Sequence, residues 1–173
     1  AAALDLKIDL QMSLSEVGAI LRPSLQHFPK KLSSSALIAD EKQVKKLRKQ
    51  YLQNTNRDLL IGLSWSSLSA DLGPAKTIQL SHFKHILRNI NATFIALQYS
   101  PDPHDLKLLQ STQPDKWVYD PTVDPTNDME SSFAQIAAMD FIITISNTTA
   151  HTAGALGIPT ALLVPKFSGR HWY

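Results

Sequence analysis

Apolar residues recur along this chain in two rhythms: short unbroken runs, and longer stretches with an apolar residue at every third or fourth position. The short runs, residues 59–64, 93–98, 116–119, 141–145 and 160–164, have the length and composition of strands buried on both faces of a parallel sheet. Between and before them lie helical patterns. Residues 40–53 place Val44, Leu47, Tyr51 and Leu52 on one face and a lysine-rich solvated face opposite, and residues 78–90 turn Ile78, Leu80, Phe83, Ile86, Leu87 and Ile90 inward. Further helices are expected at about 104–110, at 129–139, and after the 141–145 run, the last closed by Gly157 where a helix end becomes left-handed. Strand and helix alternate about five times. That alternation predicts an α/β domain, a Rossmann-like parallel sheet with helices on both faces and right-handed crossovers. Before residue 36 the rhythm lapses: residues 4–14 alternate loosely, Ser13 and Glu16 have capping-box spacing ahead of a short helix to about Leu21, and Pro23 and Pro29 interrupt any regular element. The expected organisation is a tail or linker, residues 1–35, followed by an α/β domain, residues 36–173.

Composition narrows the function classes. With 173 residues and 43% hydrophobic content, one domain can bury a real core. A formal net charge of +2, with the basic residues gathered on one helix and not interleaved with aromatics, argues against a nucleic-acid partner. The absence of cysteine removes disulfides and thiolate metal sites. No apolar run approaches the ~20 residues of a membrane span, and the first residues lack the basic and apolar regions of a signal peptide. A cytoplasmic protein is expected.

The candidate chemistry gathers behind the 141–145 run. Ser146, Asn147, Thr148 and Thr149 form a short polar turn, and Ala150, Ala153, Ala155 and Leu156 then repeat at helical spacing. A strand, a tight turn and a helix in that order aim uncapped N–H groups and hydroxyls beyond the carboxyl end of a strand. Open α/β sheets bind ligands there, and an anion meets a helix N-terminus there. Ser, Thr and Asn also cap helices that bind nothing, and for the turn taken alone capping is the commoner outcome. His151 lies just inside the helix, within reach of a ligand in the turn, and Gly154 would let the helix pack closely on the sheet or admit a bulky group. Residues 65–77 form a loop longer than an ordinary βα connection and so form a second candidate functional segment. Gln98, at the carboxyl end of the second strand, points toward the same cleft as a candidate contact to base or ribose.

Other residues are expected to be structural. Trp65 directly follows a buried strand and belongs to the core. His82, His85 and His104 have no partner at metal-ligand spacing. Asp120, Asp124 and Asp128 are separated by Pro121 and Pro125 and match no calcium loop, so no metal is expected. After the last strand Pro165 leads into a polar loop with Lys166, Arg170, His171 and Trp172.

Several segments carry a family resemblance in their order: Ile61-Gly-Leu-Ser-Trp65, Gly73, Lys76-Thr-Ile78, Phe94-Ile-Ala-Leu-Gln98, Ile136-Ala-Ala-Met-Asp140, Ser146-Asn-Thr-Thr-Ala-His-Thr-Ala-Gly-Ala-Leu-Gly-Ile-Pro159 and His171-Trp172. Together they resemble the C-terminal, donor-binding domain of GT-B glycosyltransferases, specifically the heptosyltransferase-like bacterial proteins often fused to tetratricopeptide repeats. The resemblance covers residues 57–173. It implies the C-terminal half of a GT-B fold, cut short at its own end, from a two-domain enzyme whose donor substrate is a nucleotide diphosphate sugar. By that matching Thr148 and Thr149 and their N–H groups hold phosphate oxygens, Lys76 neutralises phosphate charge, His151 contacts ribose or phosphate, and Ser64, Ser146 and Asn147 complete the donor-binding set. The implied chemistry is electrostatic stabilisation of the leaving nucleotide, with no cofactor, metal or covalent nucleophile. In that family the catalytic base normally comes from the N-terminal half, so it is expected outside this sequence, and the acceptor, protein or glycan, stays open. The chain departs from the family at Ser146, where an acidic residue is common. Two alternatives share the pattern: a nucleotide-sugar 2-epimerase, which carries a similar Leu-Gly-Ile-Pro-Thr segment, and a non-catalytic module that keeps the fold for partner binding.

Overall fold

A computed structural model describes residues 9–27, 35–53, 55–112 and 115–166. Pro29, Arg170, His171 and Trp172 lie outside the described residues. Two compact units are formed, residues 1–34 and residues 35–173.

In the first unit α1 (Leu14–Leu21) starts at the expected capping box. Ser13 Oγ accepts from the Glu16 N–H at 3.3 Å while the Glu16 carboxylate accepts from the Ser13 N–H at 2.8 Å. Those two bonds hold the Glu16 carboxyl below its ordinary pKa. None of the residues of α1 is buried.

The second unit begins with α2 (Glu41–Leu52), whose N-cap Asp40 accepts from the Lys42 and Gln43 N–H groups. It continues through β1 (Leu60–Ser64), one helical turn α3 (Gly73–Lys76), α4 (Lys84–Asn89), β2 (Thr93–Ala96), α5 (Pro103–Thr112) and β3 (Trp117–Val118). The remaining elements are α6 (Met129–Ala137), β4 (Phe141–Ile145), α7 (Thr148–Leu156) and β5 (Thr160–Leu163). All five strands pair in parallel in the order β3-β2-β1-β4-β5. Strand order reverses between β1 and β4, and in folds of this kind ligands enter the crevice outside the carboxyl ends of the strands at that point.

Successive side chains of a strand face opposite ways, so a sheet covered on both faces needs apolar residues at every position. Leu60, Ile95, Leu97 and Ile142 join one cluster with Leu47 and Tyr51 of α2, Ala134 and Ile136 of α6, and Ala153 and Leu156 of α7. Ile61, Leu63, Phe94, Ala96 and Ile143 join the other, with Leu80, Phe83 and Leu87 and with Leu109 of α5. Trp65 is fully buried in this second cluster, and its indole N–H donates to Asp105 Oδ2 at 2.7 Å.

Two expectations change in detail. The helix expected over 78–90 opens as a 3-10 turn at Leu80–Phe83 and becomes α-helical only from Lys84, because neither Gln79 nor Phe83 supplies a side-chain cap. Gly154 does not mediate close packing on the sheet: it is exposed, and a Cβ built there meets nothing within 4 Å. Ala150 and Ala153 on the inner side of α7 make the packing contact instead. The end of that helix is as expected, with Gly157 left-handed at φ 75°.

The amino end of the sheet is tied by charge. Asp140 Oδ2 accepts from the Leu60 N–H at 2.8 Å and from Arg48 Nη2 at 3.0 Å, and Arg48 also donates to the Ala138 and Asp58 carbonyls at 2.9 and 3.2 Å. Lys116 Nζ donates to the Leu87, Arg88 and Ile90 carbonyls at the end of α4. Among the described residues no helix is long and apolar enough to cross a membrane.

Candidate functional site

At the carboxyl end of the sheet one hydrogen-bonded chain crosses three strands. Asn147 Nδ2 donates to Ser64 Oγ at 2.8 Å, and Ser64 Oγ donates to Gln98 Oε1 at 3.3 Å. The same Gln98 oxygen accepts from the Trp65 and Ser66 N–H groups at 3.0 and 2.9 Å, and its Nε2 donates to the Ser66 and Tyr99 carbonyls, both at 3.1 Å. The Gln98 amide is spent on the protein and has no donor left for a ligand. Its effect is to hold the start of the 65–77 loop against the end of β2. Asn147 is spent likewise: its Oδ1 caps α7 by accepting from the Ala150 N–H at 3.3 Å and also takes the Thr144 hydroxyl at 3.0 Å.

The loop after β1 closes on itself. The Ile78 N–H donates to the Trp65 carbonyl at 2.9 Å, and the Ser67 N–H donates to Thr77 Oγ1 at 3.1 Å. Gly73 permits this closure, since a Cβ there would lie 2.6 Å from the Ser67 carbonyl oxygen. The expected long loop is therefore a fastened one with a helical turn inside it.

Two cavities meet at the α7 N-terminus. The smaller, about 150 Å3, is lined by Ser64, Ser66, Ser67, Leu68, Gln98, Tyr99, Asn147, Thr148 and Thr149. Among the described residues no Asp, Glu, His, Lys or Arg lines it. Thr148 and Thr149 are the first two residues of α7, and their backbone N–H groups bond no other described residue. The larger cavity, about 450 Å3, shares Gln98, Tyr99, Thr148 and Thr149 with the smaller and extends over Tyr119, Asp120, Met129, Phe133, Gln135 and Thr152. Ser100, on the wall of the larger cavity, has a left-handed backbone, φ 44°, which is uncommon outside glycine.

The wall of the larger cavity toward α2 is polar and closed. Buried Asp120 accepts from the Tyr51 hydroxyl at 2.9 Å, from Gln50 Nε2 at 3.3 Å and from the Thr122 hydroxyl and N–H at 2.6 and 3.0 Å. Burial pushes the Asp120 carboxyl up, but the bonds from Thr122, Tyr51 and Gln50 outweigh it and hold the group below its ordinary value. Burial, with Asp120 beside it, pushes the Tyr51 phenol well above its ordinary value. Tyr51 is thus a neutral donor to a carboxylate, and Gln135 Nε2 donates to the Tyr51 oxygen at 2.9 Å.

Of the sequence candidates, Ser64, Gln98, Asn147, Thr148 and Thr149 come together around the smaller cavity. Ser146 is buried behind the turn and lines neither cavity. Lys76 ends α3 and His151 is exposed on the first turn of α7, and neither lines a cavity. Ser66 and Ser67 fall within the 65–77 segment singled out as a whole, whereas Tyr99, Tyr119, Gln135 and Thr152 were not picked out by the sequence. Thr152 was within reach of it, because it follows Thr148 by one helical turn. Gln135 was not, for nothing around it distinguishes a glutamine facing a cavity from one facing solvent. Asp124 and Asp128 make local turns and caps, Asp128 accepting from the Ser131 N–H at 3.0 Å.

No family model matches the chain. Protein FlbA of Caulobacter vibrioides is 25% identical over 158 residues, which is 91% of this chain and 26% of that protein. The chain therefore spans about a quarter of the length of the curated relative it matches. Among solved structures, the glycosyl transferase family 9 protein from Veillonella parvula aligns with a TM-score of 0.55 and 17% identity, over 75% of this chain and 37% of that one. POFUT1 in complex with GDP aligns with a TM-score of 0.45 and 10% identity, over 72% of this chain and 46% of that one. The likeness to the family 9 protein is one of fold, and the α/β architecture is that of GT-B-like, Rossmann-type domains.

Proposed function

We propose that this domain holds the nucleotide diphosphate of a sugar donor, with the phosphates in the smaller cavity at the α7 N-terminus and the nucleoside in the larger one. The observation that carries this reading is that Thr148 and Thr149, whose N–H groups bond no other described residue, line a cavity at the point where strand order reverses. The fold shared with a glycosyl transferase family 9 protein supports the choice of a sugar donor.

Magnitudes decide how the work divides. A helix N-terminus favours an anion by about 0.3–1 kcal/mol, up to ~2 when partly buried, which is roughly a thirtyfold gain in affinity at most. Among the described residues no side-chain cation lines the smaller cavity, and that gain alone does not hold a nucleotide at micromolar concentrations. The larger cavity has to supply the rest through contact with the nucleoside. In transfer, the bond between sugar and β-phosphate breaks, charge accumulates on the departing diphosphate, and the Thr148 and Thr149 N–H groups stabilise that charge. A base that takes the proton of the acceptor comes from elsewhere in the protein, as does the acceptor site.

Proline at the first helical position keeps the helix but removes the N–H, and the extended backbone of Asn147 suits a residue preceding proline. Calorimetric titration of Thr148→Pro with nucleoside diphosphates and with inorganic pyrophosphate is expected to show an affinity loss of roughly tenfold for both at unchanged melting temperature. Equal binding by wild type and variant would remove the phosphates from this turn.

A further inference from the structure

The geometry points to Gln135 as the residue that selects the base of the bound nucleotide, through a side-chain oxygen held open toward the larger cavity. The inference rests on the nucleotide reading above and adds to it a specificity determinant of defined chemistry: an acceptor that requires an N–H donor on the base.

Hydrogen-bond logic fixes which end of the amide is open. Asp120, held ionised by its partners, can only accept, so the Tyr51 hydroxyl must spend its single proton on it. The Tyr51 oxygen then has only lone pairs to offer Gln135, and the group that meets it at 2.9 Å has to be Nε2. Oε1 therefore points away from Tyr51. Gln135 is only 6% exposed, it lines the larger cavity, and this oxygen receives no hydrogen bond from any described residue. The oxygen is not a buried orphan: it is reached from the cavity and is open to a donor that a ligand brings. A ligand that supplies an N–H there makes a direct hydrogen bond in place of one to water. A ligand that presents a carbonyl at the same place adds repulsion, which is how a buried polar group discriminates far more sharply than an apolar wall.

The rest of the cavity suits a planar heterocycle. Tyr99 and Tyr119 line it at 49% and 40% exposure, which leaves ring surface free, and Phe133 and Met129 add apolar wall. Tyr51 lines neither cavity, and Asp120, which lines the larger one, is engaged by Tyr51, Gln50 and Thr122. Tyr51 and Asp120 are positioning residues that stop the Gln135 amide from flipping.

A chemical double-mutant cycle on the full 173-residue chain tests the assignment. The four common nucleoside 5′-diphosphates are titrated by calorimetry, and the tightest is compared with its counterpart in which the base N–H groups are fully methylated. In the wild type, methylation is expected to weaken binding about tenfold. In Gln135→Met, which has similar length and no acceptor, the parent nucleotide should bind about as weakly as the methylated one, and inorganic pyrophosphate should bind as it does to the wild type. A methylation penalty of the same size in both proteins, or none in either, overturns the role of Gln135 and leaves the phosphate site standing. Wild-type protein that binds neither nucleotide nor pyrophosphate overturns the nucleotide reading, and this inference with it. If Gln135→Met melts too low to titrate, Tyr51→Phe gives the same decision. Without its anchor the amide can turn, so the methylation penalty should shrink several-fold, and an unchanged penalty rejects the mechanism.

Discussion

The two ends of the sheet handle polar groups in opposite ways. At the amino end Arg48, Lys116 and Asp140 are spent on carbonyls, an N–H group and one another, so that strand starts and helix ends are closed off. At the carboxyl end the N–H groups of Thr148 and Thr149 and the oxygen of Gln135 bond no other described residue, and all three residues line the two adjoining cavities. Both ends are built from the same parallel strands, so the contrast does not come from the fold type. It comes from which side chains the connections carry. A closed polar group stabilises the fold by about 1 kcal/mol and offers a ligand nothing, whereas an open one forgoes that stabilisation and remains available for recognition.

Gln98 breaks this division, and the largest effect is expected there. It sits at the open end yet is bonded on both sides of its amide. Gln98→Ala would leave the buried Trp65 N–H and the neighbouring Ser66 N–H without an acceptor, at a cost of about 3 kcal/mol in unfolding free energy. Urea denaturation measures it. A midpoint shift too small to resolve would mean that the loop does not depend on this amide, and Gln98 would return to the ligand-facing set where sequence reasoning placed it.

Asp140→Ala probes the closed end. It strips the acceptor from the Leu60 N–H and one partner from Arg48, which keeps its two carbonyls. Both side chains of the ion pair are about a third exposed, so solvent screens the charge term and about 2 kcal/mol is expected, most of it from the orphaned N–H. The same variant should bind nucleotide with wild-type affinity in its folded fraction, because no part of this network lines either cavity. A joint loss of stability and affinity would mean that the two ends are coupled through β1 and β4, and the contrast between them would have to be given up.

How much of this was legible in the sequence follows from how local each signal is. Strands and helices announce themselves by periodicity, and Ser13, Asp40, Asn147 and Gly157 by position relative to a helix, so the architecture and most element ends were readable. The turn at 146–149 was readable for the same reason. Lys76 was placed by the family resemblance and His151 by that and by its nearness to the turn, both of which fix where the backbone goes but not where a long side chain points. Gln135 depends on Tyr51, 84 residues earlier, and on Asp120. A bond of that span leaves no periodic trace in the chain, so the residue that carries the finest chemistry was the least visible.

Gly154 sharpens the contrast from the other direction with the smallest change. It lies on α7, the helix whose first turn opens onto the cavities, yet it faces solvent with room for a side chain. If the work of α7 is confined to its first turn and its inner face, Gly154→Ala should do nothing to binding. It should raise stability by about 0.5–1 kcal/mol, since alanine loses less backbone freedom on folding than glycine in a helix interior. A rise in the urea midpoint with unchanged nucleotide affinity is the expected pair of results. A fall in affinity would mean that the outer face of α7 meets the ligand, and the site would then extend beyond the two cavities.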